Sequence, residues 1–456
     1  MSRTTPKILI ADLIGLAFGP DGQPDPSAAR AHIEGRGGWF HFGSAKGVQI
    51  EEGRAHFFYL PHLSTREDLI AEAGDGLYDA VIAAATFLPA ETRFDLGGVR
   101  IGTGTGNMGS ASWGGGDGAG GMAPLMNTPG INARATAQMV LKALIRVRPD
   151  LPVESLHEQV AAGQYDTGRD LVKTPTAKLE GQRLAVIGYG NIGREVAKLA
   201  RAFGMEVVIH ARPRHRVWIE SEGFIWAATP EAAAQGAHAL TVHLGLGPKG
   251  PQGFANAGLI DDAVLSAMAP GAVLLNYDRG ELVEIAALDR ALASGQIGHA
   301  AIDADLFHDR DSGALSGPMQ PYLALLAAHG AKLSLLPHAA ADTDHPTRVA
   351  GAVQAIDQIL EAIETGVVRN LKGDLPEGYT DGGATAPMGL GGVTAGDLNR
   401  LAPDLAALSD QLAALSTALQ TLQSSGPQAA GEGLMLAANR VATLLRQYGL
   451  EGPWKG

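Results

Sequence analysis

Two apolar runs in the chain end on a residue fit for charge or proton chemistry. AVLLN leads into NYDRGELVEIAAL (276–288) and its Arg279, and LSLLP leads into LLPHAAADT (335–343) and its His338. In an open α/β sheet, ligands sit beyond the carboxyl ends of the strands, so both side chains should face one cleft. A guanidinium can hold a carboxylate and polarise a neighbouring carbonyl. An imidazole can give a proton to the oxygen that hydride addition leaves negative. The pair suits hydride transfer to a 2-oxo acid, or its reverse.

A cradle for the hydride carrier is also present. GYGNIG (188–193) follows LAVI and opens a helix in which Ile192, Val196, Leu199, Ala200 and Phe203 recur at helical spacing. In such a turn the first glycine allows the bend and the second lets backbone approach a pyrophosphate. The third lets the helix pack on the strand, with the anion at the helix N-terminus. Gly188, Tyr189, Gly190, Asn191, Ile192 and Gly193 are therefore candidate cofactor residues. The next strand, EVVIHARPRHR (206–216), has no carboxylate between Glu206 and Glu220, where an NAD site would place one for the ribose. Arg212, Arg214 and Arg216 stand there instead, and guanidinium forks suit the 2′-phosphate of NADP. Two charged hydrogen bonds, roughly 1.5 to 3 kcal/mol each, would favour NADPH by roughly 10² or more. The expected cofactor is NADP(H), with NAD(H) possible. Ala211, Arg212, Arg214, His243 and Asp303 complete the expected contacts.

Composition narrows the class. The 456 residues are 45% hydrophobic, enough for two or three domains with real cores. A net charge of −13 argues against nucleic acid as a partner. With no cysteine there is no disulfide, thiolate metal site or cysteine nucleophile. No run reaches about 18 apolar residues, so no membrane span is expected. The opening MSRTTPKILIADL lacks the apolar core of a secretory signal, and the expectation is a cytoplasmic protein.

Strand-like runs at KILIAD, HFFYL, DAVIAAA and VRIGTG form one set. RLAVIG, EVVIH, ALTVHL, AVLLN, AAID and LSLLP form another, with helix-length segments between them. This pattern predicts an α/β protein with two doubly wound parallel sheets. Helices are expected at 132–147 and 346–366. The glycine-rich GNMGSASWGGGDGAGG (106–121) is expected to be a mobile loop. Residues 36–55 look like an addition whose Trp39, Phe40 and Phe42, with Trp113, either line a larger pocket or pack locally. Leucines from Leu398 to Leu422 alternate at spacings of three and four, then SSGP interrupts, and the spacing resumes from Leu434. That predicts a C-terminal helical hairpin, docked on its own chain or on another.

Taken in order, GYGNIGREVAKLARAFGMEVV, NYDRGELVEIAALDRALASGQI and LLPHAAADT resemble the D-isomer-specific 2-hydroxyacid dehydrogenases. That family includes phosphoglycerate dehydrogenase and glyoxylate/hydroxypyruvate reductase. MNTPGINARATAQMV (126–140) resembles the family's entry into its cofactor domain. The resemblance implies a Rossmann-type domain (129–344) inserted in a discontinuous, flavodoxin-like substrate domain (1–128 and 345–375). A linker (376–396) and the hairpin (397–452) would follow. It implies a homodimer, Arg279 as carboxylate anchor, His338 as acid/base, and a substrate loop of backbone amides at Ala85, Thr86 and Phe87.

The chain departs from the family at the acid that orients the catalytic histidine. Counted from Asp303, that place falls on His308, with Asp309 beside it. Asp309 or Asp311 through a loop shift, His308 itself, or no direct partner all remain open. Without a carboxylate the imidazolium would lose support and its pKa should fall. Gln138 also replaces an acid often found in the family's helix. These changes and the leucine seam favour a second reading, a catalytically weakened nucleotide-sensing protein with an interaction hairpin. The DTDHP run beyond His338 reads as a capped turn rather than a metal site, and no metal is expected.

Overall fold

The computed structural model describes residues 5–14, 17–63, 65–147, 153–174, 176–251, 253–309, 312–338, 343–385, 405–425, 434 and 436–441. Two seven-stranded sheets carry the fold. The first contains β1 (Lys7–Ile10), β2 (Trp39–Phe42), β3 (His56–Tyr59), β4 (Ala80–Ala83), β5 (Gly97–Arg100) and β6 (Leu125–Asn127), with a return strand, Leu371–Lys372. Its order is return strand, β6, β5, β4, β1, β3, β2, with only the return strand antiparallel. The second contains β7 (Arg183–Ile187), β8 (Glu206–His210), β9 (Ile225–Ala227), β10 (Ala239–Val242), β11 (Ala272–Asn276), β12 (Ile297–Ala304) and β13 (Leu333–Pro337). It runs β13, β12, β11, β10, β7, β8, β9, every pair parallel.

The inner strands are apolar without alternation because both faces are covered. Every residue of β3, β4, β10 and β11 is buried. Helix Ala133–Arg146 turns Ala137, Val140, Leu141 and Leu144 onto Val186 and Val196 of the second sheet's core. Helix His345–Thr365 returns to the first sheet and lays Ala352, Ile356 and Ile359 against Ile8, Ile10 and Ile82. Asp344 caps that helix, accepting from the amide of Thr347 at 3.0 Å, as the capped-turn reading requires.

Several expectations need correction. The glycine-rich stretch is packed wall. Its Trp113 is fully buried, stacks on Phe94 with centroids 5.9 Å apart, and donates from its indole to the carbonyl of Met108 at 2.7 Å. A Cβ on Gly98 would fall 2.7 Å from the Trp113 ring, and one on Gly118 would fall 2.1 Å from the carbonyl of Lys372. Within the stretch, Gly109, Gly114, Gly116, Gly118 and Gly121 sit where backbone meets backbone, while Gly106 and Gly120 face open space. Residues 39–42 form the edge strand β2, whose Phe40 joins the core, so neither Phe40 nor Trp113 lines a pocket. β6 and β9 also lacked a visible run, being three residues each.

Of the expected linker, residues 376–385 are pinned. Thr380–Asp381 pairs with Val367–Val368, and Thr385 exchanges hydrogen bonds with Asn370 at 2.7 and 2.8 Å. Residues 386–396 lie outside the described residues. The first helix of the expected hairpin is Leu405–Ser425, with Leu412 and Leu419 exposed. The interhelical turn and most of the second helix fall outside the described residues.

Truncating Trp113 to Ala should destabilise the protein by about 3 to 5 kcal/mol through cavity formation. Denaturant unfolding measures this. A change below about 1 kcal/mol would mean that the ring merely covers a surface.

Candidate active site

Three neighbouring strands deliver the reactive side chains, and their register decides which ones meet. In the β12–β13 pair, Asp303 lies opposite Leu336. Side chains two residues apart share a face, so His338 falls on the face of Asp303. The amide of His338 prolongs the ladder, donating to the carbonyl of Ala304 at 3.1 Å. The imidazole Nδ1 then meets the Asp303 carboxylate at 2.6 Å. Asp303 is 3% exposed, so this contact forms largely out of water.

The histidine's partner is therefore Asp303, which sequence reasoning had assigned to the cofactor. His308 and Asp309 are exposed on a two-stranded ladder, Phe307–His308 against Leu315–Ser316. Asp309 closes that turn, accepting from the amide of Ser312 at 2.8 Å. The chain turns away after Asp305, and a shift to His338 would break the turn. Asp311 lies outside the described residues. Burial pulls His338 toward its neutral form. The hydrogen bond and charge of Asp303 outweigh that pull, Arg279 opposes them, Asp305 assists them, and the net displacement is upward. The expected fall in pKa is thus reversed.

Arg279 ends the turn after β11, where Asn276 lies opposite Ile302 of β12. The Asn276 amide donates to the carbonyl of Arg279 at 2.8 Å, and the Tyr322 hydroxyl to the carbonyl of Gly280 at 2.6 Å, so the turn is clamped on both sides. The guanidinium is about a third exposed and lies 3.9 Å from Asp305. A Cβ placed on Gly104 would come within 3.0 Å of its Nη2, which makes the 103–106 segment of the first sheet the wall facing the anchor. The amides of Thr103, Gly104, Thr105 and Gly106 have no hydrogen-bond partner among the described residues.

The expected loop at Ala85, Thr86 and Phe87 differs. One oxygen of Asp12 accepts from the amides of Ala84, Ala85 and Thr86 at 3.0, 2.5 and 2.7 Å, and from the Thr86 hydroxyl at 3.0 Å. An internal carboxylate already fills that anion site. Asn107 joins this loop to the 103–106 segment, donating to the carbonyls of Ala84 and Thr86 at 3.1 and 2.8 Å. The side chain of Phe87 is exposed.

At the cofactor turn the glycines do what their spacing requires. Gly188 has φ +106°, and a Cβ there would lie 2.1 Å from the carbonyl of His243. A Cβ on Gly193 would lie 2.1 Å from the carbonyl of Gly188, while Gly190 faces open space within 4 Å. Gly190 caps helix Asn191–Ala202, leaving its first amides available to a pyrophosphate. These features fit a dinucleotide.

The side chains around the turn are less uniform. Ile192 packs on the core. Tyr189 is buried and its hydroxyl donates to Glu222, which also pairs with Arg194, so only its backbone faces the turn. His243 is buried with its Nε2 2.8 Å from the Thr241 hydroxyl, and burial pushes its pKa down to about 3, leaving it neutral. Ala211 is buried, its carbonyl taken by the Trp226 indole at 3.0 Å. Arg216 pairs with Glu220 and lies over the Trp226 ring. Arg212 and Arg214 are exposed beyond β8 with no carboxylate partner among the described residues.

Residues 152–339 match the model of the D-isomer specific 2-hydroxyacid dehydrogenase NAD-binding domain. A glyoxylate reductase of Aeropyrum pernix is 32% identical over 248 residues, covering 54% of this chain and 68% of that enzyme. The chain belongs to the D-isomer-specific 2-hydroxyacid dehydrogenase family. A D-3-phosphoglycerate dehydrogenase of Rattus norvegicus is 30% identical, covering 54% of this chain but 42% of its own length. Among solved structures of this fold, the NAD+-bound 3-phosphoglycerate dehydrogenase of Entamoeba histolytica superposes with a TM-score of 0.55 at 16% identity, over 81% of this chain and 99% of that one.

Sequence reasoning missed Asp12, Gly104, Asp278 and Asp305. Asp278 and Asp305 stand one and two residues from named residues, Arg279 and Asp303, and their proximity was the available signal. Nothing in the sequence pairs Asp12 with residues 84–86.

Replacing Asp303 with Asn should lower the His338 pKa, since the opposing charge that supports the imidazolium is removed. Titration of the His338 ring by NMR tests this, and an unmoved midpoint would mean that Asp303 does not support the imidazolium.

Proposed function

We propose that the protein is an NADPH-preferring oxidoreductase that interconverts a small 2-oxo acid and the D-2-hydroxy acid. The observation that carries this is the 2.6 Å His338–Asp303 pair beside Arg279, on the sheet that also bears the glycine turn. When bound, the nicotinamide supplies or accepts the hydride. Arg279 holds the substrate carboxylate against the open amides of 103–106 and polarises the oxo group. His338 gives its proton to the oxygen that becomes the hydroxyl, and Asp303 stabilises the imidazolium beforehand. The gain of Asp303 as partner removes the main ground for the weakened-sensor alternative.

The protonation states fix the pH dependence. Reduction needs imidazolium, whose proton affinity is raised in the folded enzyme. Reduction is therefore fully supported below the His338 pKa and declines as pH rises through it. Oxidation needs the neutral ring and shows the opposite limb. His338→Ala should lower kcat by roughly 10² to 10⁴, the usual worth of general acid–base catalysis, while the NADPH Kd stays within about twofold. Assays with glyoxylate, hydroxypyruvate, pyruvate and bulkier 2-oxo acids measure this, and undiminished turnover in the variant would remove His338 from the chemistry.

The cofactor preference rests on Arg212 and Arg214, two exposed guanidiniums without carboxylate partners at the end of β8. Replacing both with Ser should reduce the NADPH-over-NADH ratio of kcat/KM by roughly 10². An unchanged ratio would reassign the arginines to the solvated surface. A homodimer is also proposed. Helix Val153–Ala161 buries no residue, and Val153, Val160, Leu171 and Val172 are exposed along the same arm. Light scattering should return twice the chain mass.

A further inference from the structure

Past the ends of β7 and β8 the two halves of the cofactor site separate. β7 leads into the glycine turn and the helix Asn191–Ala202, where a pyrophosphate fits. β8 leads into the stretch that bears Arg212 and Arg214, through the turn Pro213–His215. The sheet fixes where both begin, with Ile187 opposite His210 and the Gly188 amide donating to the carbonyl of His210 at 2.8 Å. Further out, the halves are joined again at Glu222, which is 8% exposed and ends the short helix Arg216–Ser221.

Glu222 accepts from the Tyr189 hydroxyl of the glycine turn and from Arg194 in the following helix, whose Nε lies 2.7 and 3.0 Å from the two carboxylate oxygens. Its carbonyl accepts from Arg201, further along that helix, and the Arg201 guanidinium covers the Phe224 ring at 4.4 Å. On the other side Ile219 is fully buried in the core that holds Val196 and Ala200. A buried ion pair adds little net stability over apolar packing of the same size, since both charges give up their water. What the pair contributes instead is direction, because a guanidinium fork and a hydroxyl meeting one carboxylate hold their segments at set positions.

We propose that Glu222 is a positioning residue that sets the spacing between the pyrophosphate site and the 2′-phosphate site, so that NADPH engages both at once. The inference rests on the role given above to Arg212 and Arg214. A ligand that meets two sites at the right spacing gains from the second at high effective concentration, and loses that gain when the spacing is wrong. NADH has no 2′-phosphate and draws nothing from the spacing. Glu222 acts through Tyr189, Arg194 and the helical run back to Arg214, so its loss is felt as lost coupling between the sites and not as a missing contact.

The test compares the whole cofactor with its parts on the full chain, by calorimetry. The probes are NADPH, NADH, adenosine 2′-monophosphate for the arginine end and ADP for the glycine turn. Glu222→Gln keeps the shape and drops the charge. Tyr189→Phe removes one hydroxyl and leaves the buried ion pair intact, so a variant remains if the first does not fold. Glu222→Gln should raise the NADPH Kd by roughly tenfold and Tyr189→Phe by about threefold, the range of single hydrogen bonds to a charged group or a neutral one. The Kd of NADH and of each fragment should stay within about twofold, since none of them spans both sites. In Glu222→Gln the loss should appear in the NADPH KM and not in kcat. Equal weakening of NADPH, NADH and ADP would mean that Glu222 merely props the glycine turn. An unchanged NADPH Kd in both variants would mean that the sheet alone sets the spacing. Either result overturns the proposal. If the wild type fails to bind adenosine 2′-monophosphate, the reading of Arg212 and Arg214 falls, and the proposal falls with it.

Discussion

The pairing of two residues across the parallel β12–β13 ladder is the constraint on which the site depends. Asp303 sits inside the protein, and a buried carboxylate is costly unless an opposite charge or strong donors meet it. The register that sets Asp303 opposite Leu336 carries His338 onto the same face one step further, and the backbone bond from His338 to Ala304 fixes that step. A slip of one residue would turn His338 to the other face of the sheet and take this contact away from Asp303. Fold stability and proton chemistry are therefore drawn from one contact. Arg279 is tied to the same frame because its strand, β11, is the other neighbour of β12.

The cofactor end obeys a different physics. There the limiting quantity is space. Gly188 and Gly193 let the turn close on the carbonyls of His243 and Gly188, so β7, β10 and the helix Asn191–Ala202 meet at the point where the sheet order reverses. Ligands collect at such switch points. β10 therefore lies between the two functions, joining the turn that leaves room for a pyrophosphate to β11 and the anchor. Its His243 is neutral, buried and bonded to Thr241, which suits a wall of fixed shape better than a charged contact.

Much of this was legible because it is local. The six longer strands of the second sheet each carry a largely apolar run, the glycine turn has a spacing with a mechanism, and Arg279 and His338 follow strands visibly. What was not legible depends on register or on contacts distant in the chain. The partner of His338 could be found only by knowing which residue of β12 faces it, and counting along the chain alone pointed to His308. Asp12 reaches residues 84–86 across more than seventy positions. Glycine richness misled at 106–121, since glycine permits close packing as readily as motion, and sequence does not say which is used. β2, β6 and β9 are too short or too mixed to stand out from loops.

Charge gives the remaining logic. A chain with net charge −13 opposes the approach of an anionic cofactor and an anionic acid alike. Local cations must offset that field, and they act only within about 8 Å at physiological salt. Many basic residues here are spent on acids, as with Arg183 and Glu206, Arg216 and Glu220, or Arg290 and Asp262. Arg212 and Arg214 are left without such partners at one end of the cleft. At the other end, Arg279 stands 3.9 Å from Asp305, a loose pairing. A chain of net charge −13 thus still offers anions two places of positive charge, because the guanidiniums there have no carboxylate partner among the described residues or only a loose one.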